Sequence, residues 1–158
     1  MAYYMGIDIG TSGTRAIVID ETGNLRGVGT AMHTCQSPQP LWSEQSPTEW
    51  WDAVKSAVPA AVKAAGINPA EIKGVGLSGQ MHGLVLLGKN HEVLRPAILW
   101  NDQRTVAECT EITDRAGGAS KLLEYVSNPA LTGFTAPKIL WVRKNEPRVF
   151  EQAIKALL

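Results

Sequence analysis

The chain has 158 residues, the length of one ordinary domain and enough to bury a hydrophobic core. Its 15 basic and 15 acidic side chains cancel, so composition gives no reason to expect a nucleic acid or an anionic membrane as partner. No apolar run approaches the roughly 20 residues of a membrane span, and the start does not resemble a secretory signal. We interpret Cys35 and Cys109, which lack metal-ligand spacing, as reduced and buried thiols of a cytoplasmic protein.

The first part of the sequence predicts three strands and a helix. The predicted strands are Tyr3–Ile9, Arg15–Asp20 and Leu25–His33. They are expected to be antiparallel, because their connections are too short for crossovers. Ser46 and Glu49 form a capping box around Pro47, which predicts the start of a helix that ends before Gly66. Its predicted inner face consists of Trp50, Val54, Ala57, Val58, Ala61 and Ala65.

The rest of the chain alternates predicted strands and helices. A buried strand over Ile72–Leu77 is expected to lie parallel to the first strand, because a helix provides the crossover. The later predicted strands are a hairpin of Leu84–Leu87 with Val93–Leu94 and a strand over Pro96–Trp100. A helix is predicted over about Gln103–Arg115, with Val106, Cys109 and Ile112 facing inward. Two more helices are predicted to start at Thr135, with Ile139, Leu140 and Val142 facing inward, and at Pro147. The chain stops at Leu158 in what looks like a new strand. This order is typical of an α/β, ribonuclease-H-like (actin-like ATPase) domain with a mixed sheet and flanking helices, incomplete at its C-terminus.

The strongest chemical signal lies at the end of the first strand. Asp8 is followed by a turn whose sequence is Gly10-Thr11-Ser12-Gly13-Thr14. Glycines allow backbone N–H groups to approach an anion, and the three hydroxyls add short donors. A carboxylate beside such a turn suits Mg²⁺ shared with substrate phosphates, which points to phosphoryl transfer. The alternative is a β-hairpin with a glycine-rich turn and a surface aspartate.

A second polar group follows the predicted buried strand, in the stretch Ser78-Gly79-Gln80-Met81-His82-Gly83. Open α/β sheets usually bind ligands at this end of a strand. Gln80 and His82 offer donors and acceptors that suit the hydroxyls and carbonyl of a small polar molecule. The alternative is a turn in which the histidine only caps the backbone.

A third group of polar and aromatic residues follows the next predicted strand, at Trp100, Asn101, Asp102 and Arg104. An aromatic face packs well against the apolar face of a sugar, and the polar groups suit hydroxyls. The alternative is a helix start in which Asp102 and Arg104 form an ion pair, and for these two residues we favour it. Outside this stretch, we interpret Trp42 as a packing anchor, and Lys138 and Arg143 as solvated.

Five stretches in order along the chain closely resemble the N-terminal part of FGGY carbohydrate kinases, nearest to the xylulokinase branch. The matching stretches are Gly6–Gly13, Leu41–Gln45, Gly79–Gly83, Arg95–Arg104 and Thr132–Trp141. Glycerol kinases of the family carry charged residues where Met81 and His82 stand, so this pair points to a ketopentose.

The resemblance implies ATP-dependent phosphorylation of D-xylulose to D-xylulose 5-phosphate, with ATP and Mg²⁺ as cofactors. It implies that Asp8 acts on the Mg²⁺–phosphate group without being the base, and that the turn from Gly10 to Thr14 faces the phosphates. It also implies that Met81 and His82 bind the sugar. The full set of candidate sugar-binding residues is Gln80, Met81, His82, Trp100, Asn101 and Asp102.

The resemblance also implies that much of the family's machinery lies elsewhere. Family members have two actin-like domains and are often dimers, and their catalytic base and most of their adenosine pocket lie beyond residue 158. We therefore expect residues 1–158 to form the N-terminal portion of the first domain, and to have no kinase activity alone. The alternatives are an FGGY kinase for another sugar or polyol, of the gluconate, ribulose or glycerol type, and a non-catalytic sugar-binding module of the same fold.

Overall fold

A computed structural model describes all 158 residues, which form two compact units. Unit 1 comprises residues 1–35 and 47–80, and unit 2 comprises residues 36–46 and 81–158. The strands are β1 (Tyr3–Ile9), β2 (Gly13–Asp20), β3 (Leu25–Met32), β4 (Glu44–Gln45), β5 (Ile72–Gly79), β6 (Val85–Leu87), β7 (Ala97–Ile98) and β8 (Lys155–Leu157). The helices are α1 (Pro47–Ala65), α2 (Val106–Arg115), α3 (Ala119–Val126), α4 (Thr135–Asn145) and α5 (Pro147–Gln152), with a 3₁₀ turn over Pro69–Glu71.

Unit 1 is built on a four-stranded mixed sheet with the order β3-β2-β1-β5. β1 pairs antiparallel with β2 and parallel with β5, so the predicted meander and the predicted parallel strand are both confirmed. Asp8 lies opposite Arg15 of β2 on one side and opposite Ser78 of β5 on the other. The sheet thus brings the predicted Asp8 turn and the end of β5 to the same place.

Small residues let α1 pack closely on this sheet. The buried residues of α1 are Ala53, Ala57 and Ala61, spaced one turn apart. A Cβ added at Gly29 of β3 would overlap backbone atoms of Ala57, and one at Gly27 would overlap those of Ala61. The larger predicted inward residues, Trp50, Val54 and Val58 among them, are half-buried instead. The alanines therefore form the centre of the helix–sheet contact.

The prediction that the strand after α1 is buried is wrong. β5 has one neighbour, β1, and most of its residues are exposed, with Leu77 78% exposed. The reason is that α1 packs on β1, β2 and β3. Val75 and Leu77 of β5 therefore remain in contact with solvent in this chain, whereas Ile72 packs against the core of unit 1.

Unit 2 contains two short antiparallel pairs, β4 with β7 and β6 with β8. The predicted hairpin is confirmed by the bridge between Leu87 and Val93, and the predicted terminal strand is β8. The buried hydrophobic cluster of unit 2 consists of Leu84, Leu86, Ile98 and Val142. The short strand β4 and the helix α3 were not predicted.

Three predictions about burial are corrected. Val106 of α2 is 61% exposed, whereas Glu108 is buried and pairs with Lys144 of α4. Cys35 is exposed and Cys109 is half-buried, both as free thiols. Lys138 is completely buried rather than solvated. Separately, none of the five helices combines the length and the apolar character needed to cross a membrane.

Candidate functional site

Asp8 occupies an exposed position near the end of β1 in unit 1. Its Oδ1 accepts a hydrogen bond of 2.7 Å from the Ser78 hydroxyl of β5. The guanidinium of Arg15, on the paired residue of β2, is exposed as well. A carboxylate and a cation are therefore presented side by side at one place on the sheet.

The turn after Asp8 is held by its own backbone and by the end of β5. The Gly10 N–H donates to the Gly13 carbonyl at 3.0 Å, so this amide is used within the turn. The Thr11 hydroxyl donates to Gln80 Oε1 at 3.2 Å, and the Gln80 N–H donates to the Ile9 carbonyl at 2.8 Å. A Cβ at Gly13 would lie 2.7 Å from the Ala31 carbonyl oxygen of β3. Close packing against β3 therefore accounts for a glycine at this position.

Thr14 supports the turn from beneath, which corrects the expectation that its hydroxyl faces phosphates. Thr14 is completely buried, and its Oγ1 lies 3.2 Å from Nε2 of His33. The backbone N–H of His33 donates to the Ser12 carbonyl at 3.2 Å. Burial lowers the pKa of His33 below its usual value, because desolvation penalises the charged ring. Ser12 itself is exposed and remains a candidate donor.

Two cavities of about 300 and 420 Å³ adjoin this part of unit 1. Both are lined by Asp8 and Arg15, and the larger one is also lined by Ser12. Sequence reasoning missed Arg15. The signal was available, because a tight hairpin between β1 and β2 places this arginine directly opposite Asp8.

The residues present fit a shared Mg²⁺ ion rather than a complete protein cage. No group of three or more histidine, cysteine, aspartate or glutamate side chains could hold a metal ion. Mg²⁺ is commonly bound by one or two carboxylates together with substrate phosphates. An exposed Asp8 beside an arginine and a serine hydroxyl meets that requirement.

The second candidate group lies in unit 2, at the turn before β6. Met81 is 65% exposed, and His82 is half-buried with a left-handed backbone (φ 61°). The His82 carbonyl accepts hydrogen bonds from Lys138 Nζ at 2.7 Å and from the Thr135 hydroxyl at 3.3 Å. Its imidazole meets the Phe134 ring edge-on at 4.8 Å. The start of α4 therefore holds both the backbone and the ring of His82.

Trp100 and Asn101 follow β7 and are both exposed, as a ligand-binding role requires. Gly133 lies against this stretch, because a Cβ there would be 2.8 Å from the Trp100 carbonyl oxygen. Lys138 donates to the Gly133 carbonyl at 2.6 Å as well as to the His82 carbonyl. Within unit 2, the predicted His82 and Trp100 stretches are therefore linked through the first residues of α4.

Asp102 does not share this exposure. Its carboxylate is completely buried and accepts hydrogen bonds from the Ser43 N–H at 2.7 Å and the Arg104 N–H at 2.9 Å. The Arg104 guanidinium adds bonds of 2.9 Å to Oδ1 and 2.7 Å to Oδ2. Both oxygens are engaged, so the geometry favours the ion-pair interpretation and removes Asp102 from the sugar-binding set.

Arg104 is the centre of this buried cluster. Its guanidinium lies 3.7 Å from the ring centroid of Trp42 and 4.9 Å from that of Trp141. The two indoles pack edge-on at 5.3 Å, which agrees with the predicted anchoring role of Trp42. Glu44 pairs with Arg104 at 2.8 Å and with Arg95 at 2.6 Å. The cluster thus neutralises two buried guanidinium groups.

Lys138 is the other residue that sequence reasoning missed. Burial lowers its pKa to about 8, partly offset by the negative charge of Asp102. No carboxylate pairs with it directly, and its ammonium donates instead to the carbonyls of His82 and Gly133. The available signal was helical spacing, because Lys138 stands four residues before the buried Val142 on α4.

Residues 3–158 match the N-terminal domain of the FGGY family of carbohydrate kinases. The chain is 45% identical over 157 residues to the xylulose kinase of Klebsiella pneumoniae, covering 98% of this chain and 31% of that protein. The crystal structure of a xyloylose kinase from Brucella ovis is 42% identical, with a TM-score of 0.89 over 99% of this chain and 32% of that one. A gluconate kinase structure from Lactobacillus acidophilus is 25% identical, with a TM-score of 0.89 over 99% of this chain and 31% of that one.

The chain belongs to the FGGY family of carbohydrate kinases. Its fold is the actin-like α/β fold of the solved kinases that it matches, as predicted. It spans about a third of the length of the curated relatives that it matches.

Proposed function

We propose that this chain supplies the phosphate-positioning turn and part of the sugar pocket of an ATP-dependent kinase that converts D-xylulose to D-xylulose 5-phosphate. The observation that carries this proposal is the 45% identity, over 157 residues, to a protein named as a xylulose kinase. The exposed Asp8 and the His82 turn give that identity a chemical basis within the described residues.

On the phosphate side, Asp8 would hold Mg²⁺, and Arg15 would contribute positive charge. When bound, Mg²⁺ neutralises the charge that develops on the transferred phosphoryl group. The Ser78 hydroxyl orients the Asp8 carboxylate through its 2.7 Å bond, and Ser12 offers a hydroxyl at the exposed side of the turn. Asp8 is a ligand in this scheme, and the base that deprotonates the sugar hydroxyl is a residue beyond 158.

On the sugar side, His82 and Asn101 hydrogen-bond to hydroxyl or carbonyl groups of the ketose. Met81 and Trp100 offer exposed apolar surface, 65% and 47% exposed, for the carbon face of the sugar. Gln80 is tied to Thr11, so it links the turn to the end of β5 in addition to its candidate ligand role. On the family resemblance we place this kinase in the cytoplasm, and a homodimer is the assembly that family members often form.

Another sugar is the competing function, since a gluconate kinase has the same fold at 25% identity. The deciding experiment uses the complete kinase that carries this chain as its N-terminal third. ATP turnover is measured with D-xylulose, D-ribulose, D-gluconate and glycerol. The proposal requires the highest kcat/KM with D-xylulose. A preference for another acceptor would reassign the substrate, and no turnover with any of them would favour a non-catalytic module.

The role of Asp8 is tested by Asp8→Ala in the same enzyme. The expected kcat falls by orders of magnitude while the unfolding midpoint stays close to wild type, because the side chain is exposed. Asp52→Ala on the exposed side of α1 is the control and should retain activity. Wild-type turnover in Asp8→Ala would make Asp8 an ordinary surface residue.

The role of His82 is tested by His82→Ala. Loss of a buried hydrogen bond to the sugar should cost about 1–3 kcal/mol, or about 5- to 150-fold in kcat/KM for D-xylulose. His91→Ala is a matched control, because His91 is exposed and also has a left-handed backbone (φ 63°). Equal kinetics of the two variants would show that His82 only supports the turn.

A further inference from the structure

We propose that Lys138 is a positioning residue that sets the geometry of the sugar-binding turn through the His82 carbonyl. This inference rests on the proposed function, because it concerns how His82 meets the sugar. Lys138 has no exposed surface, and its ammonium lies 2.7 Å from the His82 carbonyl and 2.6 Å from the Gly133 carbonyl.

The His82 turn needs such support. A left-handed backbone is unfavourable for a residue with a side chain, so the surrounding contacts must hold it. The His82 carbonyl receives hydrogen bonds from two residues of α4, Thr135 and Lys138. Phe134, directly before α4, meets the imidazole edge-on. The direction in which His82 presents its ring is therefore set by the start of α4.

The second bond of Lys138 extends this support to the other sugar-facing stretch. Its partner Gly133 packs against the Trp100 carbonyl, where no Cβ would fit. One ammonium thus connects the backbone that carries His82 to the loop that packs beneath Trp100. Loss of the ammonium would free both attachments at once.

The chemistry of the position favours a cation. An ammonium has three N–H donors and no acceptor, so it can serve two carbonyls in one place. Burying a charge without a direct counter-ion is costly, and the depressed pKa of about 8 reflects that cost. Asp102 stabilises the charge electrostatically, whereas Arg104 opposes it. A methionine of similar length would fill the space but leave both carbonyls without this donor.

The test uses the complete kinase and compares Lys138→Met, Lys138→Arg and Thr135→Val with wild type. Lys138→Met should raise KM for D-xylulose about ten- to a hundredfold, since a misplacement of about 1 Å costs up to roughly 10²-fold. KM for ATP should stay unchanged. Lys138→Arg retains donors and should recover part of the loss, and Thr135→Val should change KM for the sugar in the same direction by less.

Lys144→Met is the matched control on the same helix. It removes a lysine that pairs with Glu108 and Glu111 of α2 rather than with His82. A purely structural role of Lys138 would lower the yield of active Lys138→Met enzyme without a selective change in KM for the sugar. The inference requires a selective change in Lys138→Met that Lys144→Met does not show.

The outcomes separate the two claims. If wild type phosphorylates none of the sugars, the proposed function fails and this inference with it. If wild type phosphorylates D-xylulose but Lys138→Met keeps the wild-type KM, this inference alone is overturned. If Lys138→Met does not fold, Thr135→Val decides, and an unchanged KM for D-xylulose in that variant overturns the inference.

Discussion

The assignment of Asp102 to a buried ion pair makes a strong prediction for Asp102→Ala. The change removes the acceptor of the Ser43 N–H and of the Arg104 backbone and guanidinium. The Arg104 side chain is 1% exposed, so water cannot replace the lost carboxylate. Glu44 remains at 2.8 Å and compensates only part of the charge, because it also pairs with Arg95.

The expected decrease in the free energy of unfolding of Asp102→Ala is large compared with the stability of a typical domain. Removing one partner of a buried ion pair costs about 3–5 kcal/mol, because the other charge is left without compensation. Typical domains are stable by only about 5–15 kcal/mol. Each kcal/mol lowers Tm by about 2–4 °C in a chain of this size, so Tm should fall by roughly 6–20 °C.

Urea denaturation of the chain, followed by tryptophan fluorescence, measures this loss. Trp42 and Trp141 flank the Arg104 guanidinium and therefore report on unit 2. The neighbouring change Asn101→Ala is the control, because Asn101 is exposed and should alter the free energy of unfolding by less than about 0.5 kcal/mol. A loss below 1 kcal/mol in Asp102→Ala, joined to a raised KM for the sugar in the complete kinase, would refute the ion-pair assignment.

Two further predictions concern unit 1. Gly29→Ala should lower the free energy of unfolding by about 1–3 kcal/mol, because the new Cβ overlaps the α1 backbone at Ala57. Gly76→Ala on β5 is the control and should be near neutral, because its Cβ meets nothing within 4 Å. Equal denaturation midpoints of the two variants would contradict this packing. Asp20 accepts hydrogen bonds from Thr22 and Asn24 that lower its pKa from 3.8 to about 2, so its contribution to stability is present above pH 4 and lost as pH falls through 2. Asp20→Asn should therefore be less stable than wild type at pH 6, with the difference shrinking between pH 4 and pH 2 in acid unfolding curves; a constant difference would contradict the shift.

Local patterns predicted the part of the site that local geometry determines. The β1 strand, the turn after Asp8 and the parallel placement of β5 follow from short connections and crossover sterics. The same reasoning overestimated the burial of β5, because apolar residues such as Leu77 indicate a tendency to be covered and not what covers them. It also assigned Thr14 to the exposed side of the turn, since a hairpin turn does not reveal that His33 lies beneath it.

Of the two residues that were missed, Arg15 and Lys138, only Lys138 depends on a partner far away along the chain. Lys138 can be buried because the carbonyls of His82 and Gly133 accept hydrogen bonds from its ammonium, and His82 is 56 positions away. Hydrophobic periodicity counts a lysine as polar and therefore places it in solvent. Only the spacing to Val142 indicated the core face, and helical spacing alone could not say that a buried lysine would find acceptors.

The two aspartates show why similar motifs acquire different roles. Asp8 lies near the end of the apolar strand β1, and Asp102 comes shortly after the apolar strand β7. Each has an arginine close by, Arg15 or Arg104. Arg15 is exposed, so water solvates its charge and leaves the Asp8 carboxylate accessible to a metal ion and phosphates. Arg104 is stacked on indole rings away from water, so its charge must be matched by a carboxylate, and Asp102 is committed to that pairing. The hydration of the neighbouring arginine, and not the strand-end motif, therefore determines which aspartate can serve the chemistry.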